Sequence, residues 1–346
     1  MSAQTIFPLP VTNRQWSVSF RVLLALYAII PLCIVVQLCD SWLWHNQLQQ
    51  NLPSSPTHLI LFQLLFGTPH IIASAILMLS NREYLDFYRQ KIAWMTLAIA
   101  LFFAIASIFV PYRVLYVMVA GWTVYHVLRQ QQGLARQLCK LPSWAFYCLL
   151  WLSVAAGLLV YMGIFLKNSL TPEQAVWVFN TAAGLCLALL LATFYCQRLV
   201  ASNFGRGFLW SNSLLVLSSF YLYSQQYYFL AILVPRLVHD ITAYIFYVTH
   251  DLNRHSEKPQ NYLYRYAEQW KIPVIVVLPL LSFSLAFVLQ RYGDAWVNSF
   301  LAFFGFQTGK AISVGLLGYL ALMHYYTEAF TWKQGSPYRR YIAFSK

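Results

Sequence analysis

Acidic residues are scarce. The 346-residue chain has ten Asp and Glu against 23 Lys and Arg, and charged residues make up only 10% of it. So little charge beside 60% hydrophobic and 18% aromatic residues excludes a soluble globular domain. The formal net charge of +13 suggests nucleic acid at first sight, but the basic residues fall in loops between apolar runs, where they act as topology signals. Nucleic acid is therefore set aside as a partner. The six cysteines (33, 39, 139, 148, 186 and 196) lack any C-x-x-C or metal-type spacing and read as buried small hydrophobes. Met1 to Trp16 is polar and carries Pro8 and Pro10 without the charged start, apolar core and cleavage site of a signal peptide, so the first apolar run is expected to be a retained helix. Internal repeats, low-complexity runs and long linkers are missing, which leaves a single transmembrane domain over residues 1–346.

What is present is a series of apolar windows about 20 residues long, the length that spans a bilayer core. They predict an all-α polytopic membrane protein of about ten helices: Val18–Leu38, His58–Leu79, Ile92–Val110, Val114–Leu134, Phe146–Leu166, Ala175–Cys196, Phe208–Leu222, Tyr227–Thr249, Ile272–Leu289 and Lys310–Phe330. Asp294 to Gln307 is apolar but short, and reads as an interfacial or re-entrant piece. Most of the basic residues fall on one side of this map, and only Arg113, Lys167, Arg291 and Lys310 fall on the other. The excess of positive charge marks the cytoplasmic side. Both termini are then cytoplasmic, with a tail at 1–16, a loop at 251–271 and a tail at 333–346. The lipid bilayer is the expected environment, and the bacterial cytoplasmic (inner) membrane the expected location.

The chain is organised around Arg236 to His255. Arg236, His239 and Asp240 lie inside an apolar segment, where an ionisable group costs several kcal/mol on insertion scales and so needs a partner or a purpose. His239 and His250 are eleven residues apart, nearly on one helix face but roughly 16 Å apart along the axis. One straight helix cannot give both to one ion. They mark two sites stacked in depth, or one metal site and one histidine of another role.

Five histidines lie in or at the ends of spans: His70, His126, His239, His250 and His324. All are on even-numbered helices that run inward, His126, His250 and His324 near their cytoplasmic ends. Any one alone reads as a core histidine bonded to a neighbouring helix. As a set they point to a site in the cytoplasmic half, because imidazole is the commonest metal ligand and bundle cores build metal sites from facing helices. Glu328 follows His324 by one turn, on the same face, as a ligand or a group orienting the imidazole. Gln130 stands one turn after His126. Asp240 and Asp251 each follow a histidine directly, about 100° away on the helix, and are expected to pair with Arg236, Arg254 or another helix. Pro69, before His70, frees a backbone carbonyl. His45, His58 and His255 read as loop or interfacial residues. The H-E-x-x-H motif, and the H-x-x-x-H and H-x-x-H-H boxes of membrane desaturases and hydroxylases, are missing.

Gly67-Thr68-Pro69-His70, Tyr125-His126, the His239–His250 helix, and His324 with Glu328 and Lys333 come in the order of four short patches that resemble the bacterial Brp/Blh family of membrane β-carotene 15,15′-dioxygenases. The resemblance implies a histidine-held non-haem iron that activates dioxygen against a polyene. The chain departs from the family pattern at Ile71 and Ser74, and in the eleven-residue spacing of His239 and His250 where the family pairs histidines four apart.

These readings predict a metal-dependent membrane oxidoreductase, a non-haem iron oxygenase or oxidase acting with dioxygen on a lipid-soluble isoprenoid, polyene or fatty-acyl substrate. His70, His126, His239, His324 and Glu328 are the expected ligands. His250 is an alternate ligand or proton donor, and Asp240, Asp251, Gln130 and Arg236 are expected to orient the ligands. Two alternatives stand beside it: a haem- or quinone-linked electron carrier in which His239 and His250 serve two stacked haems, and a proton- or metal-coupled transporter.

Overall fold

The computed structural model describes residues 16–53, 67–109, 112–255, 257–308, 311–333 and 335–345. Most of the N-terminal tail, His58 with the first part of its expected span, Lys310 and Lys346 lie outside these residues. The described chain is all-α apart from one pair of short strands. The helices are α1 (Phe20–Leu43), α2 (Gln47–Asn51), α3 (Thr68–Ser80), α4 (Arg82–Phe109), α5 (Tyr112–Cys139), α6 (Ser143–Phe165), α7 (Pro172–Cys196), α8 (Asn203–Ser224), α9 (Tyr228–His255), α10 (Tyr262–Gln269), α11 (Val274–Ala302) and α12 (Leu317–Thr331). Strand β1 (Ser17–Ser19) pairs in parallel with β2 (Ala343–Ser345).

Among the described residues, α1, α6, α9, α11 and α7 with its short 3-10 extension are long and apolar enough to cross a membrane. Only 22% of the apolar window of α7 is buried, and Trp177, Leu187, Leu191 and Phe194 face outward. An exterior that apolar is stable against lipid and not against water.

Local chemistry sets the helix limits. The Thr171 and Gln174 side chains each bond the other's backbone N–H at the start of α7, a reciprocal capping box with Pro172 in the first turn. Ser202 caps α8 and Asn261 caps α10. The tyrosine-rich link between α8 and α9 turns at Gln226, which has φ 63°. Asp294 does not begin a separate re-entrant piece: α11 continues through a π turn at Leu289–Gly293 and on to Ala302. That correction has a physical cause, since Asp294 lies in the last stretch of the helix and accepts the Ile312 N–H at 2.7 Å.

The chain divides into two compact units, interleaved in sequence. One comprises residues 22–70 and 97–243. In it α6 packs along α7, and α5 and α8 pack on both α6 and each other. The other comprises residues 1–21, 71–96 and 244–346. Its order comes from aromatic stacking, with Phe246 on Trp332 at 4.3 Å and Phe20 on Phe344 at 4.9 Å, and from α10, whose Tyr264 and Ala267 pack against Val277 of α11. All six cysteines are free; four are buried as expected, Cys39 is half-buried and Cys148 is exposed.

Candidate metal centre

In the unit of residues 22–70 and 97–243, Pro69 occupies the first turn of α3, where its missing N–H costs nothing, and His70 follows it. In α9, Pro235 removes the N–H that would have bonded the Ala231 carbonyl, and Ser219 Oγ of α8 donates to that carbonyl instead at 2.6 Å. One turn later come Arg236, His239 and Asp240. A Cβ on Gly67 would stand 2.5 Å from Nη2 of Arg236, so glycine is what admits the guanidinium there.

His239 is the common member of two imidazole pairs. Its ring centroid lies 5.1 Å from His70 and 5.0 Å from His126, with interplanar angles of 86° and 85°. Two imidazoles bound to one tetrahedral ion at about 2.1 Å would have centroids about 5 Å apart. Asp240 Oδ1 sits 3.1 Å from His70 Nδ1 and 3.9 Å from His239 Nε2. His70 and His239 have no exposed surface and His126 is 7% exposed. Asp240 thus pairs across to α3, as the sequence pattern suggested for a partner on another helix.

In the other unit, His324 Nε2 and Glu328 Oε2 lie 3.7 Å apart on α12, both buried. Tyr247 donates to Glu328 Oε1 and also bonds Ser74. Each unit thus buries its own candidate ligands: His70, His126 and His239 in the first, His324 and Glu328 in the second. Neutral imidazoles with one carboxylate suit a divalent transition metal, iron included.

His250 and Asp251 belong to a separate chain of hydrogen bonds. Tyr84 accepts from Arg254 Nη1 at 2.9 Å and donates to His250 Nε2 at 2.6 Å. His250 Nδ1 then donates to Asp251 Oδ1 at 2.9 Å, and Tyr264 donates to Asp251 Oδ2. Both ring nitrogens are engaged, and Tyr338 stacks on the ring at 4.5 Å. The His–Asp pair forms between adjacent residues because rotation about the side chains outweighs the 100° helical offset. Arg254 bonds Glu83 at 3.2 Å and not either aspartate. His255 is buried and not interfacial, stacked on Tyr264 at 4.0 Å, and its Nδ1 accepts from the Gln260 N–H at 3.1 Å. His45 is exposed in a turn, as expected. Gln130 is half-buried one turn beyond His126.

Burial, first, and then Asp251 push the Tyr264 hydroxyl far up, so it stays a donor; burial does the same to Tyr338. Tyr84, Tyr247, Tyr264 and Tyr338 were not distinguishable in sequence from the chain's other tyrosines. No family model, curated protein or solved structure matches the chain.

Proposed function

We propose that the chain is a membrane-embedded non-haem iron oxygenase or oxidase that acts with dioxygen on a lipid-soluble isoprenoid, polyene or fatty-acyl substrate. The observation that carries the reading is the buried arrangement in which the His239 ring stands perpendicular to both His70 and His126, with Asp240 Oδ1 3.1 Å from His70 Nδ1. His70, His126, His239, His324 and Glu328 are the proposed ligands. Bound iron supplies the dioxygen activation that protein side chains lack. Asp240 stands 3.1 Å from the His70 ring, Tyr247 donates to Glu328, and the surrounding side chains are buried. A substrate arriving from the bilayer needs no aqueous path.

The frame of the proposal is a chain that crosses the bacterial cytoplasmic membrane ten times with both termini cytoplasmic and the site in the cytoplasmic half. In support, α1, α3 to α9, α11 and α12 all overlap the ten apolar windows. The stacked-haem reading is disfavoured because His250 spends both nitrogens on Tyr84 and Asp251. The test is elemental analysis and a visible spectrum of the detergent-purified chain expressed with iron supplied. Near-stoichiometric iron without a Soret band, lost in His239→Ala, is the expected result; a Soret band or metal-free protein would refute it.

A further inference from the structure

In the unit of residues 22–70 and 97–243, α5, α6, α8 and α9 line a small, partly open cavity of about 20 Å³. A space of that size exceeds the minimum for one small molecule, roughly 10–15 Å³ by the same measure. Its walls include Val124 and Val127 of α5, Leu215 and Val216 of α8, and Pro235 of α9, all buried. Glycine at 157 of α6 admits a close approach of α5 at this point: a Cβ there would come within 3.1 Å of Val124 Cγ1 and 3.4 Å of Leu128 Cδ1, two residues that line the space.

The lining selects the occupant. A buried water needs two to four polar partners, and the walls bring only two hydroxyl groups, on Tyr161 and Ser219. Ser219 is already committed to the Ala231 carbonyl, in place of the bond that Pro235 deletes. The cavity therefore suits a small apolar molecule. Its position is equally specific. Val127 is the residue after His126, and Pro235 is one turn before His239, so two of its walls belong to the helices that carry two of the candidate ligands.

We propose that this cavity is a binding site for a small apolar gas, dioxygen in the working protein, held beside the histidine cluster of α5 and α9. The identity of the gas rests on the oxygenase reading; the existence of the site does not. A preformed apolar space on the helices that carry two of the candidate ligands raises the local concentration of a molecule too small and too nonpolar to be bound by hydrogen bonds.

Crystals of the detergent-purified chain pressurised with xenon provide the test. The wild type is expected to show an anomalous peak between Gly157, Val216 and Pro235, and Gly157→Ala to lose it. Val216→Ile fills the same space from α8 and serves if the alanine variant does not fold. Ordered water in the space, no xenon peak in the wild type, or a peak unchanged in both filled variants would overturn the gas site. In oxygen-uptake assays the filled variants are expected to raise the KM for dioxygen roughly tenfold with kcat kept, the effect of one added methyl in an apolar pocket. Xenon bound with the KM unchanged would overturn the dioxygen role. Xenon bound in a protein that takes up no oxygen would sink the oxygenase reading, and with it dioxygen as the occupant, and leave the gas site standing.

Discussion

At the scale of single residues, the buried polar groups divide into two kinds. His70, His239 and Asp240 lie together as candidate metal-site residues, whereas His250, Asp251 and Tyr264 hydrogen-bond to one another. The two kinds respond differently to substitution. Asp240→Asn keeps the shape but removes the negative charge 3.1 Å from His70 Nδ1, and metal affinity is expected to fall about 10–100-fold, measured by competition with a chelator. His250→Ala is expected to leave metal content unchanged and lower thermal stability. Tyr264→Phe strips a donor from the buried Asp251 carboxylate and should cost about 1–3 kcal/mol, read from the unfolding midpoint. The same tyrosine imposes a pH limit. Burial and Asp251 hold its folded pKa above the unfolded value of about 10, so its contribution is complete below pH 10 and is lost as pH rises beyond it. Melting curves between pH 8 and pH 11 should drop at the alkaline end, and Tyr264→Phe should drop less.

At the scale of elements, α9 concentrates the chemistry, and Pro235 shows how it is accommodated. The Ala231 carbonyl has lost its helical donor and is satisfied by Ser219 of α8. Ser219→Ala is expected to cost about 1–3 kcal/mol because that carbonyl is left unsatisfied in an apolar interior. Restoring the helical donor with Pro235→Ala should make the serine dispensable, so the double variant should be more stable than the sum of the two single changes. Additive losses in a double-mutant cycle would show that the two residues are not coupled. Pro69 was legible in the sequence as a local rule. The partner of the Ala231 carbonyl was not, because its donor comes from another helix.

At the scale of the whole molecule, topology follows from where positive charge falls, and it can be read without a ligand. Reporter fusions after Lys167 are expected to show phosphatase activity only outside the cytoplasm, and fusions after Lys258 only cytoplasmic fluorescence; the reverse pattern would invert the proposed orientation. Sequence by itself determined the all-α class of this protein, most of its helices and, among the described residues, five of its six buried histidines, His255 being the one it placed in a loop. Each of those depends on the composition and spacing of neighbouring residues: apolar runs long enough for a bilayer and ionisable groups conspicuous inside them. Only the tertiary structure decided which histidines meet. His239 and His250 share one helix and one face, yet His239 lies against His70 and His126, while His250 is taken up by Tyr84 and Asp251. The same is true of the cavity beside Gly157 and of the tyrosines that complete the buried carboxylates. Periodicity along one helix specifies a direction around its axis. What stands in that direction is set by how other helices pack, through contacts between residues far apart in the chain.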